Sequence, residues 1–238
     1  MKFLRHGNRN IGIAGLSLGE VRKAGRVIAD KMFSERYVLF YGFPSKRIIM
    51  RTKVFYVDPP LIRGKAMKVA IKLIHQPIVV IINAESNCIN KDLVEKSIDE
   101  IESGEYAIHM SIPYTSTKLE MLYRKATSIL LNIFPNVNLP NYPSYSLIVG
   151  VRKYFDLDED TLWNYEHLAT FMALLDGKTK VRIDDSNCKD NVQPVFSGME
   201  ELFIKSMLKS IIRLAMRRNI IERNIGLELL KEIEVNMQ

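Results

Sequence analysis

Residues 2–7 read Lys2-Phe3-Leu4-Arg5-His6-Gly7. The first four have the composition of a strand's end, and a basic pair and a glycine follow. Working outward, Ser17 with Glu20 three residues later is a capping-box arrangement. Val21, Ala24, Val27, Ile28 and Met32 then recur at helical spacing, so 17–33 reads as a helix. Residues 37–41 (YVLFY) form a buried-strand run that Pro44 ends, and 45–53 returns to helical character. Strand, helix, strand, helix is the alternation of a layered α/β fold.

The pattern continues beyond the break at Pro59-Pro60. Helical patterns occupy 64–75, 90–103 and 117–134, and short apolar runs at 77–82, 106–111 and 146–151 read as strands. Residues 161–166 read as a further strand and 168–175 as an apolar helix that Gly177 stops. Residues 184–196 read as polar loop, and 198–234 as helix in two pieces around Asn219. No repeat or linker divides the chain. The expected organisation is one domain over 1–238, with 53–145 as an insertion or cap and 198–238 as C-terminal helices.

Composition narrows the function classes. The 238 residues are 47% apolar and 26% charged, which excludes a disordered or collagen-like chain. No apolar run approaches the roughly 18–20 residues that span a bilayer, and the first apolar stretch is too short for a signal peptide. Cys88 and Cys188 are far apart in sequence. That pattern argues against a disulfide scaffold and a cysteine zinc cluster, and fits a reducing cytoplasm. The net charge is +7, but residues 1–75 hold sixteen Lys and Arg against four acids, a net of +12, and the rest of the chain is net −5. A concentrated positive field suggests an anionic partner. Few Gln and many Ile, Lys and Arg hint at a thermophilic source.

The chemistry centres on Arg5-His6-Gly7. Ligands bind at strand C-termini in open α/β sheets, where a histidine can be a nucleophile and an arginine can hold an anion. Leu16-Ser17 and Gly19 follow, then Gly42-Phe43-Pro44-Ser45-Lys46-Arg47 after the next strand, then Thr52. This order, over about residues 1–55, resembles the histidine phosphatase superfamily, the phosphoglycerate-mutase-like fold. The resemblance implies a three-layer α/β/α sandwich with a mostly parallel central sheet. It implies His6 as the residue that takes the phosphoryl group, with Arg5 and Arg47 clamping its oxygens. Arg9 is a further candidate on the loop behind the triplet.

Such a site calls for a second histidine late in the chain. His167 is the candidate, since an Ala- and Leu-rich helix follows it; His109 lies in a strand-like segment, and His75 reads as structural. A leaving alkoxide also needs an acid, and Glu85 and Glu166 are candidates. No nucleotide-binding glycine loop occurs. The acids at 156–160 lack the spacing of a calcium loop. The scheme requires no metal and no cofactor.

The C-terminal stretch carries Lys205, Lys209, Arg213 and Arg217 at i, i+4 spacing opposite an apolar stripe. It reads as a surface helix packed on the sheet, with a nucleic-acid contact, a membrane contact or a homodimer interface as functional alternatives. The sequence thus leads to a cytoplasmic phosphatase. It would hydrolyse phosphomonoesters through a phosphohistidine, acting on a phosphorylated small molecule or phosphoprotein. A mutase would run the same first step. A second reading is a catalytically impaired member that binds phosphorylated ligands, protein or nucleic acid.

Overall fold

The structure is a computed structural model. It describes residues 9–44, 52–58, 61–104, 107–113, 117–140, 145–158, 164–177, 181–184 and 199–236. The elements are β1 (Arg9–Ser17), α1 (Ala24–Ile28), β2 (Phe33–Phe40), β3 (Lys53–Tyr56), α2 (Arg63–Leu73), β4 (Ile78–Asn83) and α3 (Lys91–Glu102). Then come β5 (Ile108–Pro113), α4 (Thr117–Ile133), β6 (Tyr145–Val151), a 3-10 turn (Arg152–Tyr154), α5 (Tyr165–Leu175), β7 (Val181–Asp184), α6 (Glu200–Arg217) and α7 (Arg223–Asn236).

All seven strands form one sheet in the order β3-β2-β1-β4-β6-β5-β7. Strands β1 to β4 run parallel to one another, β6 runs antiparallel to both β4 and β5, and β7 runs parallel to β5. Six strands therefore point one way and β6 points back. The α/β class and the mostly parallel sheet are as expected. Residues 53–145 are not a cap, because they supply β3, β4 and β5 to this sheet.

Side chains alternate across the sheet with the strand period of two. Ala14, Leu16, Leu39, Val79, Ile81 and Ile148 face a core built with α2, α4, α5 and α6. Ile13, Val38, Phe40, Val80, Ile82, Leu147 and Val149 face a second core with α1 and α3. Two glycines in β1 let helices approach closely. A Cβ on Gly12 would run into Ile74, and one on Gly15 into Ile28.

The C-terminal helices form a hairpin. At the end of α6, Asn219 takes a left-handed conformation (φ 55°). Its N–H donates to the Met216 carbonyl (3.1 Å), and the Ile220 N–H donates to the Ala215 carbonyl (2.9 Å). These are the two bonds of a Schellman stop. Lys205 and Lys209 both pair with Glu234 of α7. Lys209, with Lys205 and Arg213 adding, holds the Glu234 carboxyl below its ordinary value. Half of the basic stripe seen in the sequence is thus the seam on which α7 docks. Among the described residues no helix is long and apolar enough to cross a membrane.

Cys88 is disulfide-bonded. The chain has one other cysteine, Cys188, which lies outside the described residues.

Candidate functional site

Strand order reverses at β1: β2 and β3 lie on one side, β4 on the other. A crevice opens at the C-terminal ends of parallel strands where order reverses. Three loops border it: 17–23 after β1, 41–44 after β2 and 84–90 after β4.

Glu85 ties two of these loops together. Its Oε1 accepts the N–H of Leu18 (2.7 Å) and the N–H of Gly19 (3.0 Å). The Ser17 hydroxyl lies 3.1 Å from the same oxygen and 2.6 Å from the Glu20 carbonyl, so its single proton serves both acceptors. Behind this junction, Asn83 is buried, and its Oδ1 accepts the Glu85 N–H (3.0 Å). Backbone bonds extend the link: Ala84 N–H to the Leu16 carbonyl (2.8 Å) and Arg22 N–H to the Ala84 carbonyl (2.8 Å). The β2 loop joins through Tyr41, whose N–H donates to the Ser17 carbonyl (2.9 Å). A Cβ on Gly42 would collide with the Leu18 backbone, so only glycine fits there. Phe43 next to it is 83% exposed.

A second polar group lies at the same sheet edge. Arg63, the first residue of α2, donates from Nη2 to the Tyr145 carbonyl (3.2 Å) and lies 3.5 Å from Glu166 Oε2. Because β6 is antiparallel, its first residue, Tyr145, stands at the C-terminal edge of the parallel strands. Both partners of the ion pair are buried. Burial, with the Glu166 charge adding, pushes the Tyr123 phenol far up.

The sequence candidates scatter. Arg5, His6 and Arg47 lie outside the described residues. Arg9 begins β1, at the far edge from the crevice. His167 is 1% exposed, and its ring packs 5.4 Å from Tyr123 and 5.7 Å from Phe203, between helices rather than in a cleft. His109 is buried in β5 with Nδ1 2.9 Å from Glu100 Oε2. His75 is exposed after α2, and its backbone N–H donates to Glu35. Only Glu85 and Glu166 stand at the crevice edge. Ser17, Asn83, Gly42, Phe43 and Arg63 were not singled out for this site. Their common signal is position just after an apolar strand run or at a helix start.

No family model matches the chain, and no curated protein matches it. Solved structures do. Glucosyl-3-phosphoglycerate synthase from Mycobacterium tuberculosis, in complex with Mn2+, UDP and phosphoglyceric acid, superposes with a TM-score of 0.65 at 17% identity. The match covers 85% of this chain and 78% of that one. The same enzyme with UDP alone gives 0.60 at 16% identity, over 85% and 80% of the two chains. The chain therefore shares its fold with this synthase.

This overturns the phosphatase reading. The chain does not have the phosphoglycerate-mutase-like fold, and its resemblance to the histidine phosphatases was confined to a short motif order. The hydrolase chemistry through His6, with Arg5 and Arg47 as its clamp, was implied by that fold alone and falls with it.

Several of the matching structures hold Mn2+ or Mg2+ with UDP. The described residues of this chain do not form such a cation site. They contain no group of three His, Cys, Asp or Glu that would hold a metal. Glu85, on the loop after β4, already has Oε1 engaged by two amides, and the Asn83 oxygen is taken by the Glu85 N–H.

Proposed function

We propose that this chain is a glycosyltransferase that binds a nucleoside diphosphate sugar in the crevice between β1 and β4. The observation that carries this reading is the Glu85 junction. It fixes the loops after β1 and β4 against each other at the switch point of the sheet, where nucleotides bind in open α/β folds. The fold supports it, since the matching mycobacterial enzyme is seen with UDP and with UDP-glucose. The phosphorylated small molecule suggested by the positive charge is then a nucleotide sugar.

In the transfer, the acceptor oxygen forms a bond to the anomeric carbon while the bond from that carbon to the diphosphate oxygen breaks. The acceptor proton is released, and the nucleoside diphosphate leaves with the bonding pair. The chain's own contribution is placement. Gly42, with no Cβ, lets the loops after β1 and β2 lie backbone against backbone at Leu18. The exposed Phe43 ring offers a face for a nucleobase, and base–aromatic stacking contributes about 1–3 kcal/mol. The Arg63–Glu166 pair holds α2, β6 and α5 together beneath the edge.

Titration of isotope-labelled protein with UDP tests this. Amide shifts are expected at Leu18, Gly19, Gly42 and Glu85, and Phe43→Ala should weaken binding about tenfold. Absence of shifts at millimolar UDP, or shifts confined to other surfaces, would refute it.

A further inference from the structure

We infer that the turn between α6 and α7 is a docking surface for an anionic membrane. Arg213, Arg217, Arg218 and Arg223 cluster there, all exposed, with Glu222 on the turn itself, Glu234 near Arg213 and Asp176 across a cleft from Arg218. Three of them, Arg213, Arg217 and Arg223, line a single cleft of about 600 Å³. Its remaining walls include Ile220 and Ile221, so guanidinium groups and apolar carbon share one surface. Ile220 is 38% exposed and Ile225 45%.

The tip is rigid. The Schellman bonds at Asn219 and Ile220 fix the direction in which Ile220 leaves α6. A folded turn that presents isoleucine to water with no partner of its own loses hydrophobic free energy, which an apolar partner would restore. The charge selects the partner. Guanidinium groups beside exposed isoleucines match lipid phosphates at the headgroup boundary, with the apolar tips entering the acyl region. A nucleic acid would use the arginines and leave both isoleucines in water.

Placement is compatible with the proposed catalytic role but does not depend on it. Arg218 and Ile220 also line a second cleft with Lys153, Tyr154, Leu175 and Asp176. The 3-10 turn holding Lys153 and Tyr154 follows the C-terminus of β6, the one reversed strand. The docking surface therefore sits at the sheet edge opposite the crevice, and a docked molecule keeps the crevice open to solvent. In the second cleft Lys153 pairs with Asp176 (2.9 Å), so the excess positive charge stays on the arginine side.

Co-sedimentation with vesicles of phosphatidylcholine alone, and of phosphatidylcholine with 30% phosphatidylglycerol, tests the inference. Binding to the anionic vesicles only is expected, falling about fivefold for each arginine in the series Arg217→Gln, Arg218→Gln and Arg223→Gln. The Ile220→Ser/Ile225→Ser double variant should lose about tenfold at unchanged charge, with thermal melting confirming that it folds. An Ile220→Trp variant should shift its emission to the blue on anionic vesicles. No binding, equal binding to both vesicles, or a serine variant as tight as wild type would overturn the proposal. So would tighter binding to duplex DNA than to vesicles. UDP binding is unaffected by either result, so failure here leaves the crevice reading standing.

Discussion

Glu85→Ala removes a side chain that joins the loops after β1 and β4. Two amide N–H groups, of Leu18 and Gly19, lose a charged acceptor at 2.7 and 3.0 Å. Charge-assisted bonds contribute about 1.5–3 kcal/mol each when isolated, but Glu85 is only half-buried, and water replaces part of the loss. The net cost is expected at about 2–3 kcal/mol. With a urea slope of about 2–3 kcal/mol/M, the midpoint should fall by about 1 M. The decisive measurement is hydrogen exchange. The Leu18 and Gly19 amides should lose protection in the variant, while Ile13 and Ala14 in the middle of β1 keep theirs. Glu85→Gln, which retains one acceptor oxygen without the charge, should fall between. Unchanged exchange at Leu18 and Gly19, or a loss below about 0.5 kcal/mol, would refute the assignment of the junction to Glu85.

Gly42→Ala should cost about 1–3 kcal/mol in chemical denaturation and weaken UDP binding, because the added methyl meets Leu18 backbone that cannot step aside. Arg63→Met should cost about 3–5 kcal/mol, since it takes a cation away from the buried Glu166 carboxylate, and Arg63→Met/Glu166→Gln should recover part of that loss. Tyr123 is raised in the folded state, so the folded protein keeps its phenolic proton where the unfolded chain has lost it. Stability should therefore be unaffected by this group below pH 10 and fall above it by about 1.4 kcal/mol per pH unit. Denaturation curves from pH 9 to 11 should show this slope, and Tyr123→Phe should remove it.

The apolar strands and amphipathic helices of the middle of the chain were legible. Residues 77–82, 90–103, 117–134 and 146–151 fall within a residue or two of β4, α3, α4 and β6, and the break at Asn219 is the observed one. The misreadings have local causes. Gly12 and Gly15 lower the strand character of β1, yet those positions are glycine because Ile74 and Ile28 press against them. Ser17 looks like a helix cap, but it ends β1, and α1 starts only at Ala24. The strand expected over 161–166 is not found at its described end, where Asn164 caps α5 and Tyr165 and Glu166 open it, both buried. Val181–Asp184 is a four-residue strand that pairs only with β5, too short for its pattern to register.

The site was harder to read for a different reason. Glu85 was visible as an acid behind a strand, but its partners Leu18 and Gly19 are glycine-loop backbone with no side-chain signal. The crevice exists because β4 lies beside β1, and strand order is not written in any local stretch. A motif order confined to the first residues could suggest a fold but not test it, and Arg5-His6-Gly7 led to the wrong one.

The Glu85 junction also bears on the order of assembly. It bonds residues 66 and 67 positions apart in the chain. No local stretch can form it, and it requires that β4 has already docked on β1. Closing so long a loop is slow and entropically costly. The crevice should therefore be among the last parts of the protein to gain its final geometry during folding. A chain with β1 to β3 in place and β4 still undocked would hold the Leu18 and Gly19 amides open to water.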